Sequence, residues 1–354
     1  MRKIGLLTYH HTTNFGSLLQ TYGLYKAVTD LGKQCEIVNY HNATVDKREA
    51  PIRLANCRTI RDYVHYFLRE PKKRKKEKYF DQFVSQKMGI SKTEYTEENI
   101  RVANSEYDTF LIGSDLVWDF SINGNDRTYM LDFANDKTSK IAYASSVGGI
   151  WDEKEDVTIL LNRFDHIGVR EYTIKNTLDN WLNQKVDFVC DPTMLVTQEE
   201  WKSMVTMRLI QEDYVLCYMN DKENRIYYDA IRYAKDNGKT VYVLTYGKPP
   251  KGTKAISPVR IEEFLSLIFY ADAVFSASYH GMLFALYFEK ELYFYNRGWR
   301  SRMESIALYL GLEDREQLTE ENKDKAIDYT KVNKKIAAFR EESLILLRSY
   351  LDNV

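Results

Sequence analysis

The sequence predicts an α/β protein made of two doubly wound domains with a cleft between them. In both halves of the chain, short apolar runs alternate with segments of helical spacing, as in the βαβ units of parallel sheets. Several apolar runs end in polar or small residues, and the ligand crevice of a parallel sheet lies at such strand ends. The length of 354 residues also exceeds the roughly 250–300 residues that a single hydrophobic core usually supports.

The first forty residues form the clearest strand–helix–strand unit. Residues 4–9 are an apolar run, residues 18–31 carry apolar side chains at helical spacing, and residues 35–40 are the next apolar run. Gly32 follows the helical segment, where a C-terminal cap is expected. Together with further predicted strands, these elements indicate an N-terminal Rossmann-like domain over residues 1–200. The further strands are residues 108–112, 140–144, 167–170 and 186–189.

A second α/β unit begins after Trp201 and predicts a C-terminal Rossmann-like domain over residues 201–330. The last part of the chain, residues 331–354, has the apolar spacing of a helix, which we expect to pack back on the first domain. Its predicted strands are residues 214–219, 240–245, 273–277 and 292–295, and its predicted helices begin near residues 224, 261 and 282.

The apolar stretch of residues 264–288 is long enough to span a bilayer. A membrane helix there would place Asp272 and His280 in hydrocarbon, at a cost of several kcal/mol. We therefore predict that this stretch is core of the second domain, folded as a helix, a strand and a second helix.

Residues 58–78 have the apolar spacing of an amphipathic helix, and nine of these 21 residues are Lys or Arg. They predict a basic helical insertion over residues 58–100 within the first domain. Two interpretations of the basic run at residues 72–76 remain open. The run is a solvated helix face, or it contacts an anionic membrane surface, as would suit an enzyme that acts on lipid-linked sugars.

Charge and cysteine content exclude several classes of protein. The 50 basic and 51 acidic side chains give no positive excess, which argues against a nucleic-acid-binding protein. The four cysteines are widely spaced, so we expect neither a disulfide scaffold nor a zinc site. The N-terminus shows no signal-peptide pattern, so we expect a cytoplasmic protein, either free or at the inner face of the membrane.

No metal-ligand spacing, phosphate-binding loop or dinucleotide fingerprint occurs in the sequence, and no metal is expected. Candidate site residues therefore come from the strand ends. Asn14, Gly16 and Ser17 lie between the first strand and its helix, where their turn either binds an anion through backbone N–H groups or caps the helix. Asp115 follows a strand and is a candidate base or acceptor for a sugar hydroxyl, or a turn cap.

Two further candidates are Arg170 and His280. Arg170 closes a strand, and it either holds a carboxylate or phosphate or forms an ion pair with Glu171 or another acid. His280 lies at a strand-to-helix turn, where it donates a proton or binds an anion, or else is a satisfied core residue. A cationic cluster that could bind an anion in the cleft follows the last strand: Arg297, Arg300 and Arg302.

Several strings occur in a characteristic order along the chain. The first half contains T-Y-H-H-T-T-N-F-G-S-L-L-Q-T-Y-G-L, G-S-D-L-V-W-D, A-Y-A-S-S-V-G, G-V-R-E and C-D-P-T-M-L. The second half contains E-E-F-L-S-L-I-F-Y-A-D-A-V-F-S-A-S-Y-H-G-M-L-F-A-L-Y-F and S-R-M-E-S-I-A-L-Y-L-G-L. Jointly and in this order, they resemble the polysaccharide pyruvyl transferase family, over residues 1 to about 312.

This resemblance implies two Rossmann-like domains similar to those of GT-B glycosyltransferases. It implies transfer of the pyruvyl group of phosphoenolpyruvate to two hydroxyls of a sugar, giving a cyclic ketal and phosphate without a cofactor. By the resemblance, His280 and Arg170 match positions that engage the donor, and Asp115 matches a motif residue at the cleft. We expect His280 and Asp115 to be catalytic and the following residues to bind substrate: Arg170, Asn14, Gly16, Ser17, Ser278, Arg297 and Arg302.

One position departs from the family pattern. Well-known pyruvyl transferases carry Arg two residues before the motif His, and Ser278 stands there in this chain. Arg297, Arg300 or Arg302 would then replace this anion contact, or the donor is not phosphoenolpyruvate.

Three hypotheses for the function follow. The first is a pyruvyl transferase that modifies a sugar of a cell-surface polysaccharide or of its lipid-linked precursor. The second is a GT-B-like glycosyltransferase with a nucleotide-sugar donor, and the third is a non-catalytic carbohydrate-binding assembly partner. His280, Arg170 and Asp115 together favour an enzyme over the third hypothesis.

Overall fold

The computed structural model describes residues 3–49, 58–148, 154–297 and 301–352. The chain divides into two compact units, each built on one parallel β-sheet. The first unit comprises Met1–Ala50, Asp81–Val196 and Ile336–Val354, and the second comprises Pro51–Phe80 and Thr197–Lys335. Within the described ranges, none of the helices combines the length and the apolar content that crossing a membrane requires.

The first unit contains a sheet of seven parallel strands. These are β1 (Lys3–Leu7), β2 (Gln34–Tyr40), β3 (Ile90–Tyr95), β4 (Thr109–Ile112), β5 (Ser139–Ser145), β6 (His166–Val169) and β7 (Val186–Phe188). Their order across the sheet is β3-β2-β1-β4-β5-β6-β7. In chain order, the helices up to residue 195 are α1 (Phe15–Asp30), α2 (Ala43–Glu49), α3 (Ile60–Lys87), α4 (Phe120–Asn123), α5 (Lys154–Leu161), α6 (Tyr172–Asp179) and α7 (Pro192–Leu195), with 3₁₀ turns at Ile100–Ser105 and Arg127–Met130. All but α3 belong to the first unit, and α3 belongs to the second unit up to Phe80.

The second unit contains a sheet of five parallel strands. These are β8 (Tyr214–Tyr218), β9 (Thr240–Leu244), β10 (Lys254–Ile256), β11 (Ala273–Ser276) and β12 (Glu291–Phe294), in the order β10-β9-β8-β11-β12. The helices that follow α7 are α8 (Gln198–Ser203), α9 (Arg225–Asp236), α10 (Ile261–Phe269), α11 (Tyr279–Tyr287), α12 (Ser301–Leu310) and α13 (Tyr329–Asp352), with a 3₁₀ turn at Glu313–Arg315. From Ile336 onward, α13 belongs to the first unit. The predicted α/β fold with two parallel sheets is confirmed.

Each sheet has one point at which the strand order reverses. In the first sheet this point lies between β1 and β4, and in the second it lies between β8 and β11. In open parallel sheets, ligands bind outside the carboxyl ends of the strands at such a switch point, because the flanking helices leave in opposite directions. The topology therefore selects the loops after β1, β4, β8 and β11 as the candidate sites.

Close contacts within the first unit fix the positions of α1 and of the C-terminal part of α13. An added Cβ at Gly23 would lie 2.4 Å from the Pro192 carbonyl oxygen, so α1 contacts α7 backbone to backbone and only glycine fits. On α13, the Phe339 ring stacks on Phe188 at 5.0 Å between centroids, and the Ser343 hydroxyl accepts a hydrogen bond from the Cys190 N–H at 2.9 Å.

The basic segment differs from the prediction of a helical insertion over residues 58–100 of the first domain. The helix α3 ends at Lys87, and residues 90–95 form the edge strand β3, paired with β2. The part Pro51–Phe80 groups with the second unit, in which the buried Lys76 ammonium lies 5.0 Å from the Tyr246 ring centroid. The strand was missed because its sequence, I-S-K-T-E-Y, is polar between its two ends, as an edge strand permits.

The apolar stretch of residues 264–288 folds as predicted. It contains most of α10 and all of β11 and α11, which are three short elements of the second unit. Short elements in a packed core, rather than one spanning helix, account for its high apolar content.

Candidate functional site

The switch point of the first sheet joins the ends of β1 and β4 directly. The Gly113 N–H donates to the Leu7 carbonyl at 2.9 Å, and the Thr8 hydroxyl donates to the Ser114 carbonyl at 3.4 Å. Gln20 of α1 is fully buried behind this contact and donates to the Thr8 hydroxyl at 3.1 Å. The buried hydrogen bonds of Thr8 and Gln20 thus stabilise the loops after β1 and β4, which contain predicted site residues.

Asn14 caps α1. Its side-chain oxygen accepts hydrogen bonds from the backbone N–H groups of Gly16 at 2.9 Å and Ser17 at 3.3 Å. The Ser17 side chain is buried and donates to the Tyr9 carbonyl at 3.4 Å. Since the Asn14 oxygen already satisfies these amides, an anion would bind them only by displacing it, and anion binding at this turn stays a prediction.

Asp115, after β4, belongs to a buried ion-pair group with Arg170 and Asp191. The Arg170 guanidinium donates to Asp191 at 2.5 Å and to Asp115 at 3.3 Å. The side chains of Arg170 and Asp191 are 1% and 0% exposed, whereas that of Asp115 is 16% exposed. Asp115 is therefore the member of the group that is accessible to a ligand, and the buried Arg170 fixes its carboxylate through a hydrogen bond.

Asp191 is fixed on its other side by α7. It caps this helix, and one of its oxygens accepts from the backbone N–H and the hydroxyl of Thr193 at 2.9 and 2.7 Å. Because Asp191 orients Arg170 and Arg170 orients Asp115, the carboxylate of Asp115 is positioned by two successive charge-assisted contacts. The donor-binding role expected of Arg170 stays a prediction beside this positioning role.

Backbone strain marks the same strand ends. Asp115 has φ +75° and forms a parallel bridge with Ser145, and Ala144 has φ +54° where the β5–β6 register shifts. Left-handed conformations are uncommon outside glycine and concentrate at functional sites. Burial, and then the charge of Asp115, raise the pKa of Tyr9 well above its usual value, so that its hydroxyl remains a donor, bonded to the Leu116 carbonyl at 3.2 Å.

A second buried polar pair follows β5 and β6. The Ser146 hydroxyl donates to the carboxylate of Glu171, and both residues are inaccessible to solvent. This pair ties together the strings A-Y-A-S-S-V-G and G-V-R-E, which are distant in sequence.

The switch point of the second sheet is formed by the ends of β8 and β11. Ser278 caps α11, since its hydroxyl oxygen accepts from the Gly281 N–H at 3.3 Å. The Ser276 hydroxyl donates to the Ser278 carbonyl at 2.9 Å and accepts from the Ser278 N–H at 3.1 Å. His280 lies in the first turn of α11 and is 6% exposed, with its ring 5.4 Å from that of Tyr279.

Gly281 lets this first turn approach the sheet. An added Cβ would lie 2.3 Å from the Ser276 hydroxyl and 2.6 Å from the ring of Tyr218, at the end of β8. Burial raises the pKa of Tyr218 above its usual range, so its hydroxyl is a neutral donor beside the helix start. Because Gly281 lets α11 begin close to the sheet, His280 lies at the point where the strand order reverses.

Two arginines of the predicted cationic cluster lie in the same unit. Arg297 is exposed and donates to the sulfur of Met219 at 3.2 Å; Met219 follows β8 and has φ +60°. The Arg302 guanidinium lies 5.8 Å from the centroid of the Tyr279 ring, next to His280 in sequence. Arg300 lies outside the described residues.

Three contributors were not among the predicted site residues. All three are buried. Asp191 contacts Arg170, Tyr218 contacts Ser278, and Glu171 directly follows Arg170. Asp191 could have been selected from the sequence, because it lies two residues after the predicted strand of residues 186–189. Tyr218 could not, since it is one of 27 tyrosines and lies inside a continuous apolar run.

The solved structures that resemble this chain define the class of fold. The UDP-N-acetylglucosamine 2-epimerase of Rickettsia bellii is 9% identical with a TM-score of 0.53, covering 100% of this chain and 98% of that one. S. aureus MnaA in complex with UDP is 11% identical with a TM-score of 0.53 and the same coverage. An alpha-glucosyltransferase in complex with UDP is 8% identical with a TM-score of 0.51, covering 99% and 95%. The chain has the GT-B fold of these glycosyltransferases and epimerases.

Sequence comparison then identifies the family. The model of the polysaccharide pyruvyl transferase family matches residues 14–300, which is most of the chain. The chain therefore belongs to the polysaccharide pyruvyl transferase family and is a transferase. No curated protein sequence matches it significantly.

Proposed function

We propose that this protein transfers the pyruvyl group of phosphoenolpyruvate to two hydroxyls of a sugar in a cell-surface polysaccharide or its precursor, forming a cyclic ketal and releasing phosphate. The observation that carries the proposal is the position of His280 in the first turn of α11, at the switch point between β8 and β11. The family match supports the same reaction.

The chemistry requires an acid. Phosphoenolpyruvate becomes electrophilic at C2 when its methylene carbon takes up a proton, and His280 in its imidazolium form supplies that proton. One sugar hydroxyl then bonds to C2, the C2–O bond to phosphate breaks, and the second hydroxyl closes the ketal. The two hydroxyl protons leave to solvent and to His280, so that the acid is restored and no cofactor takes part.

The donor also requires positive charge, because its phosphate and carboxylate carry up to three negative charges. The N-terminus of α11 offers backbone N–H groups to an anion. Arg297 and Arg302 lie in the same unit and supply the cationic contact that the family pattern leads one to expect at Ser278, which instead caps the helix. In the first unit, the partly exposed Asp115 is suited to accept a hydrogen bond from a sugar hydroxyl.

Ligand-dependent melting tests the choice of donor. A ligand that binds only the folded state at 100 times its dissociation constant stabilises by about 2.7 kcal/mol. We expect phosphoenolpyruvate to raise the Tm of the wild type, and inorganic phosphate and pyruvate to raise it less. The shift should shrink in Arg302→Gln, and equal shifts with phosphate alone would argue against recognition of the whole donor.

A nucleotide-sugar glycosyltransferase is the second candidate. It is favoured by the two similar GT-B structures that hold UDP. A clear Tm increase with a nucleotide sugar, together with none with phosphoenolpyruvate, would replace the first proposal with this one.

We further propose that α3 brings the enzyme to an anionic membrane, where a lipid-linked acceptor would be found. Tyr63 and Phe67 are 44% and 65% exposed, one helical turn apart. Lys72, Arg74 and Lys75 are exposed on the turns that follow. Exposed aromatic side chains next to basic ones are typical of helices that lie in a membrane interface.

Vesicle binding tests the proposed membrane contact of α3. Each Lys or Arg near an anionic surface contributes about 1 kcal/mol. The triple variant Lys72→Gln/Arg74→Gln/Lys75→Gln should therefore bind phosphatidylglycerol vesicles roughly 100-fold more weakly than the wild type. The matched control changes three exposed lysines elsewhere in the second unit, Lys222→Gln/Lys235→Gln/Lys325→Gln, and equal losses in both variants would mean that α3 has no special role.

A further inference from the structure

Three of the six histidines of the chain lie together at the carboxyl edge of the first sheet. His10 and His11 follow β1, and His41 follows β2. The rings of His11 and His41 are 4.7 Å apart between centroids, and His10 lies 6.5 and 6.4 Å from them. The pyruvyl transfer proposed above uses none of these residues.

Asp46, from α2, lies between two of these histidines. Its Oδ1 is 3.2 Å from His11 Nδ1, and its Oδ2 is 2.8 Å from His41 Nδ1. The side chains are 45%, 22% and 29% exposed for His11, His41 and Asp46, so the group is open to solvent on one side. One carboxylate thus faces two imidazole nitrogens that come from different loops.

We propose that His11, His41 and Asp46 form a binding site for one divalent first-row transition metal ion, with Zn²⁺ as the reference ion. One ligand atom from each of the three residues lies within 4.8 Å of the others. Bonds of about 2.0–2.1 Å in a tetrahedral arrangement place ligand atoms roughly 3.4 Å apart. The two N···O separations of 3.2 and 2.8 Å are near this value. The ligand atoms of the two imidazoles, which lie within 4.8 Å of each other, would close around the ion through side-chain movements.

The surroundings of His41 fit this role. The Glu94 carboxylate lies 3.9 Å from His41 Nε2, on the opposite side of the ring from Asp46. Histidine ligands of metals commonly donate their second N–H to a carboxylate, which fixes the ring and the tautomer. At 3.9 Å, Glu94 is beyond hydrogen-bond distance of Nε2, and its exposed side chain would need only a small movement to accept that N–H.

His10 is not a ligand in this site. Its Nε2 lies 3.1 Å from the Asn39 side-chain oxygen and its Nδ1 lies 3.3 Å from the Thr8 carbonyl. Both ring nitrogens are therefore engaged, and His10 packs beside the site as a neighbour. Two imidazoles and one carboxylate leave a fourth position for water, on the side where His11 is exposed.

The ion would link two loops and one helix of the first unit. His11 lies in the loop that leads to the cap of α1 at Asn14, His41 follows β2, and Asp46 lies in α2. A bound metal would fix the β1–α1 loop against α2. Imidazole ligands favour Zn²⁺ and its first-row neighbours over Mg²⁺ or Ca²⁺, which prefer oxygen ligands.

Metal titration of the full-length protein tests the site. After treatment with a chelator and its removal, we expect one Zn²⁺ per chain by calorimetry and a visible absorption band with Co²⁺ that Zn²⁺ abolishes and Mg²⁺ does not. Loss of a residue that only hydrogen-bonds a metal ligand usually weakens metal binding roughly 10–100-fold, and Glu94→Gln should weaken Zn²⁺ binding by that factor. His41→Gln and Asp46→Asn remove ligands, so they should weaken Zn²⁺ binding by more than that.

His166→Gln is the matched control, because this histidine stacks on Tyr350 in the same unit, away from the cluster. It should bind Zn²⁺ as the wild type does. His11→Gln changes the most exposed of the three ligands, and this variant is therefore expected to fold. It tests the site even where a variant of a more buried ligand does not fold. Absence of Zn²⁺ binding in the wild type, or equal affinity in the wild type and His11→Gln, would overturn the proposal.

Discussion

Replacing His280 with Gln is expected to lower kcat for pyruvyl transfer by about 10²–10⁴-fold, the usual contribution of a general acid. Gln keeps a polar side chain of similar reach in the first turn of α11, but its amide cannot release a proton. The KM for phosphoenolpyruvate should change much less than kcat, because the N–H groups and arginines proposed to bind the donor remain. Steady-state phosphate release, followed over a range of phosphoenolpyruvate concentrations at saturating acceptor, measures both constants.

The control for this variant is His166→Gln. Its ring stacks on Tyr350 at 4.6 Å and has no part in the proposed chemistry, so kcat should stay at the wild-type value. Equal melting temperatures of the two variants would exclude a general loss of structure. Wild-type kcat in His280→Gln would remove His280 from the role of acid.

Arg170→Met is expected to destabilise the protein by about 3–5 kcal/mol, the cost of removing one partner of a buried ion pair. The cost arises because Asp191 is fully buried and its 2.5 Å contact with Arg170 would be lost. Met fills much of the same volume, so lost packing contributes little. Chemical denaturation monitored by circular dichroism gives the free energy of unfolding.

A double variant separates charge from packing. Asp191→Asn keeps an oxygen that can cap α7, and it removes the charge that Arg170 leaves uncompensated. Arg170→Met/Asp191→Asn should therefore be more stable than the sum of the single changes predicts, by about 0.5–3 kcal/mol. The control is Lys175→Met, at a surface pair with Asp179, which should cost at most about 1 kcal/mol. Strict additivity would contradict the positioning of Arg170 by Asp191.

The fold could be predicted from the sequence because the strands and helices of a parallel α/β domain each have a local hydrophobic pattern. Buried strands are short apolar runs, and the helices between them show a 3.6-residue spacing. The edge strand β3 left no such pattern, because four of its six residues are polar, S-K-T-E between Ile90 and Tyr95. The extent of the basic insertion was wrong for that reason.

The candidate sites were predictable only in part. Asp115, Arg170 and His280 could be chosen as candidates because each follows a strand, and the carboxyl ends of parallel strands share one edge of the sheet. Their roles stay predictions. That Arg170 contacts both Asp115 and Asp191, 55 and 21 residues away, depends on side-chain directions that sequence spacing does not encode. The cluster of His11, His41 and Asp46 was missed for a similar reason, because no metal-binding motif has this spacing.

Transfer of the pyruvyl group is tested most directly by following its carbon skeleton from donor to product. The wild type is incubated with phosphoenolpyruvate labelled with ¹³C at C2 and with a panel of glycosides, and the products are observed by ¹³C and ³¹P NMR. We predict a new ketal carbon signal and inorganic phosphate in equal amounts with at least one glycoside, both absent when the glycoside is omitted. Phosphate without a ketal signal, or sugar transfer from a nucleotide sugar under the same conditions, would contradict the account.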